Sequence, residues 1–263
     1  MNEFIMNIEQ DNALPGSCAS YDWHGYRGYD FELNGYTLKI ICPEYPRVDK
    51  AWVWKTEFLG AFTGADVALL GKGFHIVHLE IFNQYGSPKA VAAGKGVYEF
   101  VVRQLGFSEK ACLLGMSRGG LLAYNWAAQN PDKVALIFGD NPVCDIKSWP
   151  GGFGVGPGSA EDWRKCLEAY ELTDEEARSW DKNPIDHVPV LVQAGIPVLH
   201  VIGDADVTVP IAENSNVLRD AYKKHGGHYE EVIKLGGGHH PHGLPDDPEP
   251  IVDFFERMLE KEV

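Results

Sequence analysis

Ser117 lies in the run Leu113-Leu114-Gly115-Met116-Ser117-Arg118-Gly119-Gly120, a Gly-x-Ser-x-Gly pattern between an apolar strand-like stretch and a helical one. A serine on such a sharp strand-to-helix turn exposes its hydroxyl, and the flanking glycines leave room where backbone segments approach closely. The helix that follows favours negative charge developing at its N-terminus. With 9 serines and 29 glycines among 263 residues, chance yields about 0.1 such pentapeptides, so the pattern is informative before its context is considered. A serine alone is a weak nucleophile and needs a base oriented by an acid. Two later loops offer an acid and a base, in that order. Gly203-Asp204-Ala205-Asp206-Val207-Thr208-Val209-Pro210 follows the apolar run Val198–Ile202, and Gly236-Gly237-Gly238-His239-His240-Pro241-His242 follows Val232–Leu235. The chemistry this set supports is nucleophilic acyl transfer.

Those loops need a frame of strands and helices. Asn34-Gly35, between Phe31 and Leu33 on one side and Tyr36, Leu38 and Ile40 on the other, predicts a hairpin. Beyond Pro43 and Pro46, strand-like runs at 52–54, 75–81, 111–116, 134–138, 198–202 and 231–235 alternate with helical stretches. Ser87-Pro88 caps a helix to Leu105 that Gly106 stops, and further helices are predicted over 117–129, 215–224 and 250–260. The run Val134-Ala135-Leu136-Ile137-Phe138 lacks a polar face, as central parallel strands covered on both sides do. The order predicts an α/β fold, a mostly parallel doubly wound sheet behind an N-terminal antiparallel hairpin. Residues 1–28 show little periodicity and are expected to drape over the fold. From Asn141 to Ile196 there is no convincing strand. That segment holds a Gly-rich loop at 150–158, a short helix after Ser159, and another opened by a Thr173–Glu176 capping box. It is too long for a plain connection, so one domain over 1–263 with a helical cap at about 141–196 is expected.

The formal charge of −15 argues against nucleic-acid or anionic-membrane partners, which need clustered Lys and Arg. A hydrophobic content of 44% with 23% charged residues suits an ordinary globular chain, and the longest apolar runs are strand-sized. Met1-Asn2-Glu3-Phe4-Ile5 has neither the basic nor the apolar region of an export signal, which points to the cytoplasm, although a trimmed secreted form would look the same. Cysteines 18, 42, 112, 144 and 166 are widely spread without a Cys-x-x-Cys and read as free thiols. His239, His240 and His242 raise the question of a metal. Adjacent histidines point in different directions and no His-x-x-x-His or Cys spacing supports them, so no metal and no other cofactor is expected. Composition is silent on oligomeric state.

From about residue 30 to 260 the sequence resembles the α/β-hydrolase family. The likeness is carried by the elbow around Ser117, the Gly-x-x-Asp-x-x-Val-Pro loop from Gly203 to Pro210 and the Gly-x-Gly-His loop from Gly236 to His239. The resemblance implies a triad of Ser117 as nucleophile, Asp206 as acid and His239 as base. Asp204 and Asp140 stand as rival acids and His240 as a rival base. It further implies an oxyanion hole formed by the backbone amide of Arg118 and a second amide after the strand near Trp52. The family's His-Gly pair is missing there; the sequence reads Trp54-Lys55-Thr56-Glu57-Phe58, so Lys55 or Thr56 is expected to donate.

Trp54, Glu57, Gln84, Tyr85, Trp149 and Trp163 fall around the expected mouth. Tryptophan faces beside carboxylates suit a sugar ring, with Trp54, Glu57 and Trp149 as binding residues, and packing of the cap onto the body is the equal alternative. Arg118 offers a guanidinium to a substrate carboxylate or hydroxyl, or else forms a salt bridge on the helix surface. The expectation is a carboxylic-ester hydrolase acting on a small-molecule ester, an acylated sugar or similar polar molecule. The same triad also serves peptidases, thioesterases and C–C hydrolases. A non-catalytic receptor on this fold normally lacks a triad member, and none is missing.

Overall fold

The computed structural model describes residues 16–260. Nine strands form one sheet in the order β1-β2-β3-β5-β4-β6-β7-β8-β9. They are β1 (Ser17–Trp23), β2 (Tyr26–Leu33), β3 (Tyr36–Cys42), β4 (Trp52–Lys55), β5 (His75–Leu79), β6 (Ala111–Met116), β7 (Val134–Asp140), β8 (Val198–Gly203) and β9 (Tyr229–Lys234). From β1 to β3, and from β3 to β5, neighbours run antiparallel; the remainder is parallel. Strands β6, β7 and β8 are buried along their whole length, which is why their sequences carry no polar face. The Asn34-Gly35 hairpin forms in the expected register, Leu33 opposite Tyr36, with both turn residues at positive φ.

Helices cover both faces. One core joins the sheet to α1 (Gly64–Gly71) and α8 (Glu249–Glu260). The other joins it to α2 (Pro88–Tyr98), α3 (Gly119–Gln129), α6 (Val188–Gln193) and α7 (Ser215–His225). Ser87 caps α2 by accepting from the Ala90 amide, and the helix continues as a π-helical turn over Glu99–Gln104. None of the described helices is long and apolar enough to cross a membrane.

Two elements differ from expectation in the first part of the chain. Residues 17–28 do not drape over the fold but form β1 and the start of β2. Polar Ser, Asp and Arg positions mask their alternation, while Tyr21 and Trp23 turn inward against the core. Their connection, His24-Gly25, has both residues at positive φ. Residues 1–15 lie outside the described residues. Helix α1 also went unread, because glycines stand at both its ends and its run is only 8 residues long.

The segment after Asn141 carries α4 (Ala160–Tyr170), capped by Ser159, and α5 (Asp174–Arg178), opened by the Thr173–Glu176 capping box. Its last third belongs elsewhere. A 3₁₀ turn over Pro184–His187 leads into α6, whose Val188 and Leu191 enter the main core. The excursion over the sheet edge is therefore shorter than 141–196. Cys42, Cys112, Cys144 and Cys166 are buried and take part in no disulfide.

Candidate active site

Strand β6 delivers Ser117 at φ 50, in the left-handed region that non-glycine residues avoid. The turn is held from both sides. The Ser117 amide donates to the Asp140 carbonyl at 2.9 Å, and the Ser117 carbonyl accepts from the amides of Gly120 at 3.0 Å and Val143 at 2.8 Å. A Cβ on Gly115 would stand 2.8 Å from the Gly120 Cα, and one on Gly119 would stand 2.8 Å from Thr56 Oγ1. Both glycines of the motif are thus required by close approach of neighbouring chain.

The structure brings Ser117, Asp206 and His239 together. Ser117 Oγ is 2.9 Å from His239 Nε2, and His239 Nδ1 is 2.7 Å from Asp206 Oδ2. The other Asp206 oxygen accepts from the amides of Thr208 and Val209, each at 2.9 Å, so the loop fixes the carboxylate that faces the imidazole. A carbonyl-like or carboxylate acceptor at Nδ1 selects the tautomer whose Nε2 accepts a proton from the serine. The rival residues are engaged elsewhere. Asp204 accepts from the Gly236 amide at 2.6 Å, Asp140 accepts from the Gly243 amide at 2.6 Å, and His240 is exposed and stacks on Phe62.

Asn141 is a residue that sequence reasoning missed. It follows β7 at φ 41 and is buried. Its Oδ1 accepts from the Gly203 amide at 2.8 Å, at the root of the acid loop, and its Nδ2 donates to the His239 carbonyl at 2.9 Å. One side chain therefore ties the acid loop to the histidine loop. Asparagine immediately after an apolar strand is the only local signal, since Asn tolerates left-handed backbone.

The amide expected from Lys55 or Thr56 is not available. Lys55 lies inside β4 with its side chain fully buried, where the ammonium pairs with Asp66 and donates to the Ala61 carbonyl at 3.1 Å. The Thr56 amide is spent on the Leu114 carbonyl at 3.0 Å. Glu57 is the next residue, and its nitrogen stands 3.4 Å from where a Cβ on Gly119 would be, on the same side of the elbow as Arg118. With the Thr56 amide spent, that of Glu57 is the candidate second donor beside that of Arg118. The shift of one residue arises because β4 extends to Lys55 rather than ending at Trp54.

The expected sugar-binding tryptophans are likewise placed elsewhere. Trp54 is fully buried in the main core, edge-on to Trp126 at 5.2 Å, and does not reach the site. Trp149 packs beside Tyr85, and Trp163 packs against Phe153 while donating to Asp174, so both hold the excursion to the body. Gln84 sits beside the Ser87 cap, and the buried Tyr85 donates its hydroxyl to Asp162 at 2.6 Å.

Arg118 is not a free guanidinium. It lies between the rings of Phe58 and Tyr85, at 5.2 and 5.3 Å, and pairs with Glu57 at 3.3 Å and more distantly with Asp162 at 3.8 Å. Burial pushes the Glu57 carboxyl up, and the nearby guanidinium pulls it partly back. Together they border a cleft of about 380 Å³ lined also by Trp23, Phe58, Glu80 and Phe82. A larger groove of about 580 Å³ lies between Tyr26, Arg27 and Glu44; no triad residue lines either space, and the smaller one adjoins the nucleophile through Arg118.

Residues 93–262 match the model of the prolyl oligopeptidase family, a span that contains Ser117, Asp206 and His239 but not the Glu57 loop. Acylamino-acid-releasing enzyme 2 of Oryza sativa subsp. japonica is 29% identical over 129 residues, which are 46% of this chain and 16% of that protein. The chain thus spans about one sixth of the curated relative's length. Among solved structures, an acylaminoacyl peptidase in complex with Z-Gly-Gly-Phe-chloromethyl ketone superposes with a TM-score of 0.66 at 17% identity, covering 88% of this chain and 41% of that one. A puromycin-hydrolyzing peptidase of Mycobacterium tuberculosis gives 0.63 at 14% identity, covering 81% and 36%. A membrane phospholipase A described as a bacterial virulence factor gives 0.57 at 15%, covering 90% and 86%. These low-identity structures share the fold, the α/β-hydrolase arrangement. With the family model matched over well more than half its length, the chain belongs to the prolyl oligopeptidase family of serine hydrolases.

Proposed function

We propose that this protein is a serine peptidase that cleaves the amide bond of a short peptide or acylated amino acid. The observation that carries the reading is the aligned Ser117–His239–Asp206 set inside the segment matched to the prolyl oligopeptidase family. The relatives named as acylamino-acid-releasing and acylaminoacyl peptidases support the substrate class.

In this mechanism His239 Nε2 takes the Ser117 proton as Oγ attacks the carbonyl carbon. Asp206 balances the imidazolium and keeps its orientation. The amides of Arg118 and Glu57 receive the oxyanion. His239 then hands the proton to the departing amine, and water repeats the sequence on the acyl-enzyme. The cleft bounded by Trp23, Phe58 and Phe82 opens beside Arg118 and Glu57, and its aromatic walls favour a large apolar side chain next to the cleaved bond.

Esters are chemically easier acyl donors, and the same site is expected to cleave activated ones. Specificity for an acylated sugar has lost its aromatic support, because Trp54 is in the core and Trp149 and Trp163 pack the excursion.

The test is a panel of N-acetylated and free aminoacyl p-nitroanilides, with alanine, phenylalanine and lysine, beside p-nitrophenyl acetate and acetylated sugars. Anilide cleavage is expected, with phenylalanine preferred, and Ser117→Ala should lower kcat/KM by about 10³-fold or more. Turnover of acetylated sugars with no anilide cleavage would overturn the reading.

A further inference from the structure

Beside the nucleophile three imidazoles converge. The ring centroids of His239, His240 and His242 form a nearly equilateral triangle with sides of 5.0, 4.8 and 5.0 Å, every pair close to perpendicular. One nitrogen from each lies within 4.8 Å of the other two. Adjacent histidines were expected to diverge, and here the loop folds their rings back towards one another. Zinc holds imidazole nitrogens at about 2.0–2.1 Å in a tetrahedron, which sets ligand nitrogens about 3.3 Å apart and ring centroids about 5 Å apart. The centroids already meet that requirement, and the nitrogens, within 4.8 Å of one another, need to close to that spacing on binding.

Two of the rings carry a carboxylate behind them. Asp206 faces His239 Nδ1 at 2.7 Å, and Asp140 Oδ1 lies 3.2 Å from His242 Nδ1. A carboxylate at Nδ1 leaves Nε2 as the lone-pair donor, the outer-sphere arrangement that orients metal-ligating histidines. The His242–Asp140 pair is buried, and neither facing atom makes an aligned hydrogen bond, so this pair is assembled but unsatisfied. His240 supplies the solvent side. Phe62 stacks on it at 5.4 Å and meets His242 edge-on at 5.1 Å, which walls the cluster.

We propose that His239, His240 and His242 form a reversible inhibitory site for Zn²⁺. The inference rests on the reading of His239 as base. The ion takes the Nε2 lone pair that otherwise receives the Ser117 proton. The Ser117 hydroxyl loses its acceptor and keeps its proton, the Nδ1 proton of His239 stays towards Asp206, and no covalent bond is broken. Water completes the fourth position.

The experiment titrates metal-stripped full-length protein with zinc chloride, following heat and anilide hydrolysis in parallel. One equivalent should bind, activity should fall with the same midpoint, and EDTA should restore it. Magnesium, which prefers oxygen ligands, should do neither. His240→Ala should keep its basal rate while both zinc midpoints weaken by about tenfold or more. Ser117→Ala should be inactive and bind zinc at least as tightly, since the competing hydroxyl is gone. That variant separates the two readings: retained activity would sink the nucleophile assignment and the triad with it, and calorimetry on it still reports the site. Zinc binding that His240→Ala leaves unmoved, absence of stoichiometric binding, or binding without inhibition would each overturn the proposal.

Discussion

Asn141 shows how much one side chain contributes to a site it never touches chemically. Its two hydrogen bonds join Gly203, ahead of the acid loop, to the carbonyl of His239 itself. Replacing it with alanine leaves the Gly203 amide unpaired in the interior and keeps a left-handed φ on a residue that resists it. A loss of about 2–4 kcal/mol of stability is expected from the sum of the unsatisfied group and the backbone strain. Asn141→Gly relieves the strain alone and should recover about 1 kcal/mol of that in a urea titration. Both variants should lower kcat by about tenfold or more with a smaller change in KM, because the imidazole is displaced while the cleft stays intact. Equal kcat in both variants and the parent would remove the positioning role. At this scale Ser117, Asp206 and His239 were legible because loop motifs encode them locally. Asn141 and Glu57 were not, since their roles depend on what another strand brings alongside.

At the scale of elements, the loop after β4 is tied down by a buried charge pair. Lys55 and Asp66 are both fully buried, one on β4 and one on α1, and the ammonium also reaches the Ala61 carbonyl in the loop between them. Burial raises the Asp66 carboxyl above its usual range despite the attraction of Lys55. Desolvation therefore offsets much of the pair's attraction, and the pair contributes more to register than to net stability. Lys55→Met strands a carboxyl in the core and should cost about 3–5 kcal/mol, whereas Lys55→Met with Asp66→Leu should recover most of it. Urea melts of the single and double variants measure this, and a double variant as unstable as the single would refute it. If the pair also holds the loop, the stable double variant should retain reduced kcat, because the Glu57 amide is no longer pinned. The pair was illegible because Lys55 and Asp66 meet only once the chain turns back between β4 and α1, and α1 itself because glycines stand at both ends of a run of 8 residues.

Across the whole molecule, one face of the sheet buries both His75 and His200 completely, the first against Phe107 and the second between Tyr124 and Ser215. Burial lowers each from the ordinary 6.5 to about 3. The folded state then binds fewer protons than the unfolded chain. Their contribution is complete above pH 6.5 and is lost as pH falls towards 3, with a slope of about 1.4 kcal/mol per pH unit for each histidine. Denaturant melts at pH 7, 6 and 5 should show stability falling with acid. His75→Asn, whose side chain cannot charge, should flatten the slope whatever it costs at neutral pH. A slope unchanged by that substitution would exclude His75 as a source.

The sequence by itself determined the α/β class, the hairpin at Asn34-Gly35, the strand-to-helix elbow and the acid and histidine loops. These follow from short-range periodicity and turn chemistry, which act within a few residues. Tertiary structure alone decided that Trp54 is core, that Glu57 and not Lys55 stands beside Arg118, that Asn141 joins two loops, and that three histidines converge beside the nucleophile. Each of those outcomes depends on the length of a neighbouring strand or on an approach between segments tens of residues apart, and proximity between distant segments leaves no periodic trace in a single chain.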